Sequence, residues 1–176
     1  MLAIFFLIIL ALARFLIFDR TVIPWLYPVA AFGLTVAIVL RVETGLLMSM
    51  LLAILIVFGH PRDVELALFY ILPTFAGIFV IGRARRISSF LGAGAVVSLV
   101  GVAMVLIFRV GDSFTDWLGM VSLTASAVVN GLASGTLTIL FEYIFSFVLD
   151  IPTALQLMDI SRPDHPLMQH VLQTMP

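Results

Sequence analysis

Long apolar runs separated by short polar breaks make up most of this chain. The runs cover residues 2–18, 22–40, 42–58, 64–81, 87–108 and 117–149. A helix that crosses a bilayer needs roughly 20 apolar residues, with about 17–25 tolerated. In lipid, continuous runs of this kind can pair their backbone groups only as helices. The pattern predicts an all-α, polytopic transmembrane bundle of about six spans, with consecutive helices as antiparallel neighbours.

The last run is too long for one perpendicular crossing. It could form two short helices hinged near Gly131 and Gly135, or one helix that extends past the bilayer into the cytoplasm. The strongest basic cluster should face the cytoplasm; it consists of Arg83, Arg85 and Arg86. We favour a single last helix, which places both termini of the chain in the cytoplasm.

The chain changes character after Asp150, which divides it into a predicted bundle (1–149) and a short cytoplasmic tail (150–176). Pro152 suits the first turn of a helix, and Leu155 then shares one face with Ile151 and Met158. This spacing is amphipathic, so we expect the tail to lie on the membrane surface or against a soluble partner.

Composition agrees with a membrane protein. Hydrophobic residues make up 62% of the chain and charged residues 11%, whereas charges form about a quarter of an ordinary soluble domain. The charges lie mostly at the borders of the apolar runs. The net charge of −1 gives no reason to expect nucleic-acid binding, and the absence of cysteine excludes disulfides and thiolate metal sites.

A ladder of small residues marks the last run at intervals of four: Ala127, Gly131 and Gly135. Such a ladder lets another helix backbone approach closely. Gly94 and Ser98 form a weaker version in the run 87–108. We expect internal packing here, and a homodimer is the less favoured alternative.

Polar residues inside the runs have simple expected roles. Asn130 is expected to form hydrogen bonds between helices, and Glu142 to lie solvated or capping at the cytoplasmic interface. Arg14 can extend its side chain to the outer interface. Three prolines within or beside runs predict kinks: Pro24, Pro28 and Pro73.

No catalytic centre emerges from the residues. Ser134 between Gly131 and Gly135 resembles a nucleophile turn, but the spans contain no histidine to serve as its base. Asp164 and His165 are adjacent in the tail without further clustered ligands. We therefore expect no catalytic, cofactor-binding or metal site in this chain.

Several stretches together resemble a known family. They are residues 26–31, 63–70 with 82–88, and 130–131 followed by 141–145, 153–161 and 164–168. In this order they resemble the seven-helix membrane region and linker of bacterial receptors that carry an intracellular HD phosphohydrolase domain. In that family a first membrane helix and, in many members, an extracellular sensor domain come earlier in the chain. The HD domain follows the linker, so we expect this chain to stop before it.

The resemblance implies a parent that hydrolyses a cyclic dinucleotide, cyclic di-AMP in particular, on two divalent metal ions held by the HD domain. It implies a sensory or anchoring module in the bacterial plasma membrane, with the HD and sensor domains as partners. The expected relay residues are Asn130, Gly131, Gly135, Glu142, Pro152 and Leu155.

Two alternatives stay open. A substrate-binding component of a transporter would need a polar pocket near the midplane, and the spans offer little beyond Asn130 and scattered hydroxyls. The other alternative is a purely structural anchor.

Overall fold

The described part of the chain is helical throughout, apart from short turns. The computed structural model describes residues 2–17, 22–59, 63–81, 87–109 and 117–149. Its helices are α1 (Leu2–Ile17), α2 (Ile23–Leu26), α3 (Val29–Val39), α4 (Val42–Val57), α5 (Asp63–Ile81), α6 (Ile87–Arg109) and α7 (Trp117–Leu149). The predicted all-α polytopic bundle is confirmed.

The apolar helices fall into two length classes. Within the described ranges, three segments are long and apolar enough to cross a membrane by length and composition: Val64–Ile81, Ser88–Arg109 and Trp117–Val148. The other three apolar segments are shorter: Leu2–Ile17, Ile23–Val39 and Val42–Val57. A 16-residue helix such as α1 or α4 is about 24 Å long at ~1.5 Å per residue.

The last apolar run forms one helix. α7 has 33 residues, which corresponds to about 50 Å. Gly131 and Gly135 lie inside this unbroken helix, so the hinged alternative is wrong and the favoured single helix is confirmed.

The second apolar run is not one continuous helix, because it breaks at Tyr27 and Pro28, next to one of the prolines at which a kink was predicted. Proline has no N–H to donate, and its ring disfavours the helical conformation of the residue before it. Tyr27 accordingly has an extended backbone, with φ −72° and ψ 119°. The short helix α2 and the helix α3 are therefore separate. Pro73, in contrast, lies within a continuous α5.

α3 is the central helix of the bundle. All its residues from Val29 to Ala37 are buried, and it contacts α4, α5 and α7. Its side chains join two apolar clusters. Phe32 packs in a cluster with Leu52 and Phe69, and Leu34 packs in the other with Phe90.

α6 and α7 approach each other along their small residues. A Cβ atom added at Gly131 would lie 2.3 Å from the backbone nitrogen of Ser98 and 2.6 Å from the carbonyl oxygen of Gly94. One added at Gly135 would lie 2.8 Å from the carbonyl oxygen of Phe90. We call this contact the glycine seam. The small-residue ladder of α7 therefore packs against α6 of the same chain.

Candidate functional site

The break between α2 and α3 disturbs the pairing of backbone carbonyl groups inside the bundle. The Pro24 carbonyl would accept from residue 28 in a continuous helix, but Pro28 has no N–H. The N–H of Val29, which would bond to the Trp25 carbonyl, instead donates to Tyr27 at 2.9 Å. Because an unpaired carbonyl in a membrane costs several kcal/mol, this break needs donors from elsewhere.

Asn130 of α7 supplies two of these donors. Its Nδ2 donates to the carbonyl oxygens of Trp25 and Tyr27, each at 3.0 Å. Its Oδ1 accepts from the Ser134 hydroxyl at 3.3 Å. The side chain is 4% exposed. Asn130 therefore joins α7 to the backbone of another helix, the kind of interaction expected from the sequence.

Two tyrosines complete the arrangement. The buried Tyr70 hydroxyl of α5 donates to the Pro24 carbonyl. The Tyr27 hydroxyl donates to the carbonyl of Ile9 in α1 at 2.9 Å. Tyr27, Tyr70 and Asn130 form what we call the break cluster. It ties α1, α5 and α7 to the junction of α2 and α3.

Trp25 connects the break to an ion pair. Its ring, 1% exposed, packs edge-on against Phe69 with centroids 4.7 Å apart. The guanidinium carbon of Arg109 lies 5.9 Å from the ring centroid, within the range of a cation–π interaction. Arg109 Nη2 is 3.2 Å from Oε1 of Glu65. The ion pair links the first turns of α5 to the end of α6.

A ridge of buried polar residues follows α7 beside the glycine seam. Its members occur at intervals of four: Ser126, Asn130, Ser134, Thr138 and Glu142. Hydroxyls on this ridge bond within the helix, as Thr138 does to the Ser134 carbonyl at 2.6 Å.

The expectation that Glu142 is solvated is wrong, because the residue is 6% exposed. α1 covers this end of α7. The ring of Phe5 packs edge-on against Phe141 at 5.0 Å and Phe145 at 5.1 Å, the two rings on either side of Glu142 in the sequence.

Arg14 has a structural role in the described residues. Its side chain is exposed and its Nη1 donates to the carbonyl of Phe58 at 2.8 Å. Phe58 is the C-cap of α4, and a cation at a helix C-terminus is favourable.

The remaining predicted residues lie outside the described residues. These are the topology residues Arg83, Arg85 and Arg86 and the linker residues Pro152 and Leu155, together with the whole predicted tail 150–176.

Sequence reasoning found Asn130 but missed Tyr27 and Tyr70. A usable signal was present, since Tyr27 directly precedes Pro28 inside an apolar run. A proline there frees a carbonyl, and a freed carbonyl in lipid calls for a buried donor.

A small cavity lies beside the break cluster. It has a volume of about 10 Å³, roughly the space for one water molecule, and its lining includes Tyr70, Thr74 and Asn130. Among the described residues no group of three or more His, Cys, Asp or Glu side chains is placed to hold a metal ion.

Comparison with known proteins identifies the membrane region to which this bundle corresponds. The family described as a 7TM receptor with intracellular HD hydrolase matches residues 1–153. The chain belongs to this family. The match confirms the resemblance and includes every residue of the break cluster and the glycine seam.

One relative is the cyclic-di-AMP phosphodiesterase PgpH of Bacillus subtilis (strain 168). It is 24% identical over 161 residues, which cover 88% of this chain and 23% of the relative. The chain thus spans less than a quarter of that relative's length. No solved structure matches the chain.

Proposed function

We propose that this family member is the membrane-embedded sensory and anchoring module of a bacterial phosphodiesterase. It relays a change of state through α7 and the following linker to a cytoplasmic HD domain. The parent hydrolyses a cyclic dinucleotide, cyclic di-AMP in particular, on divalent metal ions held by the HD domain. Family membership and the name of the Bacillus relative support this proposal.

The main support for the relay comes from the contacts that α7 makes with the other helices. α7 is one continuous helix, and through Asn130 it bonds to the backbone of the break. Along the glycine seam it meets α6 through backbone atoms and short side chains. Such a contact has few interlocking side chains to oppose a shift of about 1–2 Å, the size of helix shifts in known switches.

The transporter alternative receives less support from the site. The polar side chains at the break bond to the protein backbone. The neighbouring cavity of about 10 Å³ is far smaller than a usual ligand pocket of roughly 300–1,000 Å³.

The relay can be tested in the full-length parent with a mild change at the seam. The Ser98 hydroxyl lies 2.9 Å from the Val128 carbonyl of α7 and 3.0 Å from Gly94 of its own helix. Ser98→Ala removes the bond between helices, so we expect cyclic di-AMP hydrolysis to change by roughly fivefold, the low end of allosteric couplings.

Thr136→Ala is the matched control for this experiment. The Thr136 hydroxyl is exposed and bonds to carbonyls of its own helix, so the hydrolysis rate should not change. Equal rates for both variants and the unaltered parent would contradict a relay through the seam.

The proposed orientation is the bacterial plasma membrane with both termini of this chain in the cytoplasm. The basic cluster next to residue 84 supports it. Because the chain has no cysteine, Ala84→Cys and His60→Cys can be labelled one at a time in intact cells. We expect an impermeant maleimide to label residue 60 from outside, and residue 84 after the membrane is opened. Labelling of residue 84 alone from outside would refute this orientation.

A further inference from the structure

We infer that α2 is a latched element whose position couples the Glu65–Arg109 ion pair to α7. This inference rests on the proposed relay and names the part of the bundle where a signal would enter it. The latch consists of Tyr70 and Asn130, which hold the α2 backbone, and Trp25, whose ring lies against the ion pair.

α2 depends on its neighbours for its position. It has four residues, and a single helical turn is unstable by itself because nucleation is unfavourable. Two further backbone bonds tighten its ends, from the Trp25 N–H to the Val22 carbonyl at 3.1 Å and from the Tyr27 N–H to the Pro24 carbonyl at 3.4 Å. Its carbonyl groups are bound by side chains of α5 and α7. The placement of α2 thus follows those helices.

Trp25 is the residue that both sides share. Its ring contacts Phe69 of α5 and lies beside the Arg109 guanidinium of α6. Its carbonyl accepts from Asn130 of α7. The ring is 1% exposed and packed against Phe69, so it has little room to rotate separately, and a displacement of the ring is expected to move the carbonyl of the same residue. The ion pair and Asn130 are therefore linked through Trp25.

α7 can shift in response to a movement of α2 at the position of Asn130. Asn130 is followed directly by Gly131, which lies in the glycine seam against Ser98 of α6. When α2 moves, Asn130 either loses two hydrogen bonds or moves with it, and an unpaired carbonyl in the bilayer is the costlier outcome. The small residues of the seam permit α7 to follow.

The rival explanation is that these bonds only fasten α2 in place. Fasteners that act separately give independent effects, whereas a latch transmits a change made at the ion pair. The two cases predict different results for a substitution at Glu65, which lies in α5. Separate fasteners leave α2 and α7 unchanged, whereas a latch alters both.

The test uses the whole chain in lipid nanodiscs with two reporters. Hydrogen exchange of the peptide over residues 23–29 reports on α2. Spin labels at Leu91→Cys and Leu140→Cys, both on exposed positions of α6 and α7, report on the seam. The variants are Glu65→Gln, which weakens the ion pair, and Tyr70→Phe, which removes the hydroxyl that holds Pro24.

Two matched controls accompany these variants. Glu43→Gln changes an exposed carboxylate in the first turn of α4. Tyr143→Phe removes the hydroxyl of an exposed tyrosine on α7. Neither residue contacts α2 by any hydrogen bond or ring contact described above.

We expect Glu65→Gln and Tyr70→Phe each to speed exchange over residues 23–29 by about tenfold, within the usual range of coupling between sites. Each should also shift the distance between the labels by about 1–2 Å. The two controls should change neither reporter.

Three results would overturn the inference: faster exchange with Tyr70→Phe alone, faster exchange with unmoved labels, or no change in either reporter. If Tyr70→Phe also speeds exchange across α3, this variant has lost its fold. The result for Glu65→Gln then decides between a latch and separate fasteners. If both reporters respond but hydrolysis by the full-length parent does not, the latch stands and the proposed relay fails.

Discussion

Replacing Gly131 with alanine should lower the free energy of unfolding by about 2 kcal/mol. The new methyl would lie 2.3 Å from the backbone nitrogen of Ser98 and 2.6 Å from the Gly94 carbonyl oxygen. Backbone atoms cannot rotate away, so the cost belongs at the upper end of the roughly 1–3 kcal/mol typical of overpacking. The better helix propensity of alanine returns less than about 1 kcal/mol. For a chain of this length we expect a melting temperature roughly 4–8 °C lower in detergent.

Gly92→Ala is the matched control, on the partner helix two residues from Gly94. A Cβ atom at Gly92 meets nothing within 4 Å, so alanine there should leave stability unchanged or raise it by up to about 1 kcal/mol. Leucine at both Gly131 and Gly135 should prevent the two helices from approaching. If that double variant melts like the unaltered chain, α6 and α7 do not pack through the glycine seam.

Asn130→Leu is expected to have the second largest effect, a loss of about 1–3 kcal/mol. The change keeps a similar volume but removes both hydrogen bonds to Trp25 and Tyr27. Hydrogen bonds between membrane helices contribute on average about 0.6 kcal/mol each and up to about 1.7. The Tyr27 carbonyl keeps its bond from the Val29 N–H, and the cost of leaving the Trp25 carbonyl unpaired raises the total. Reversible unfolding in mixed detergent micelles measures it.

Ser122→Ala serves as the control on the same helix. Its exposed hydroxyl bonds to the Gly119 carbonyl of α7 itself at 2.8 Å, so its removal should change the free energy of unfolding little. Equal stabilities for Asn130→Leu and Ser122→Ala would show that the break does not need α7, which would remove the physical support for the relay.

The helical character and order of the six apolar runs followed from run length, because lipid leaves a continuous apolar run few alternatives to a helix. Run length did not show that the second run forms two helices. The ladder of Gly131 and Gly135 also carried enough information to locate a close approach, since only small residues permit one. The sequence did not reveal which of the five other runs packs against this ladder. Gly94 was visible as a weaker ladder, but pairing depends on the three-dimensional order of the helices.

The break cluster was harder to predict for a related reason. Tyr27, Tyr70 and Asn130 are far apart in the chain, and each looks ordinary within its own run. Their joint role appears only when the carbonyl groups around Pro28 are followed to their donors. The stretches that carried the family resemblance include all three residues, although the resemblance itself gave no indication that they meet.

At Glu142 the sequence led to an expectation that the structure contradicts. Its position in the C-terminal part of the last run suggested an interface, and solvation followed from the assumption that nothing covers that part of the helix. Phe5 of α1 contacts Phe141 and Phe145 there. Burial at a helix end depends on neighbouring elements, which a count along one helix does not include.

The unequal helix lengths have a consequence for the surrounding lipid. α1 packs on α4, and both are about 24 Å long at ~1.5 Å per residue. α6, which lies between α5 and α7 in the contact pattern, has 23 residues, or about 35 Å. A bilayer adjusts to a short apolar helix by thinning and to a long one by thickening, or the long helix tilts. The annulus of lipid around this protein is therefore expected to be uneven in depth, shallow beside α1 and α4 and deeper beside α6 and α7.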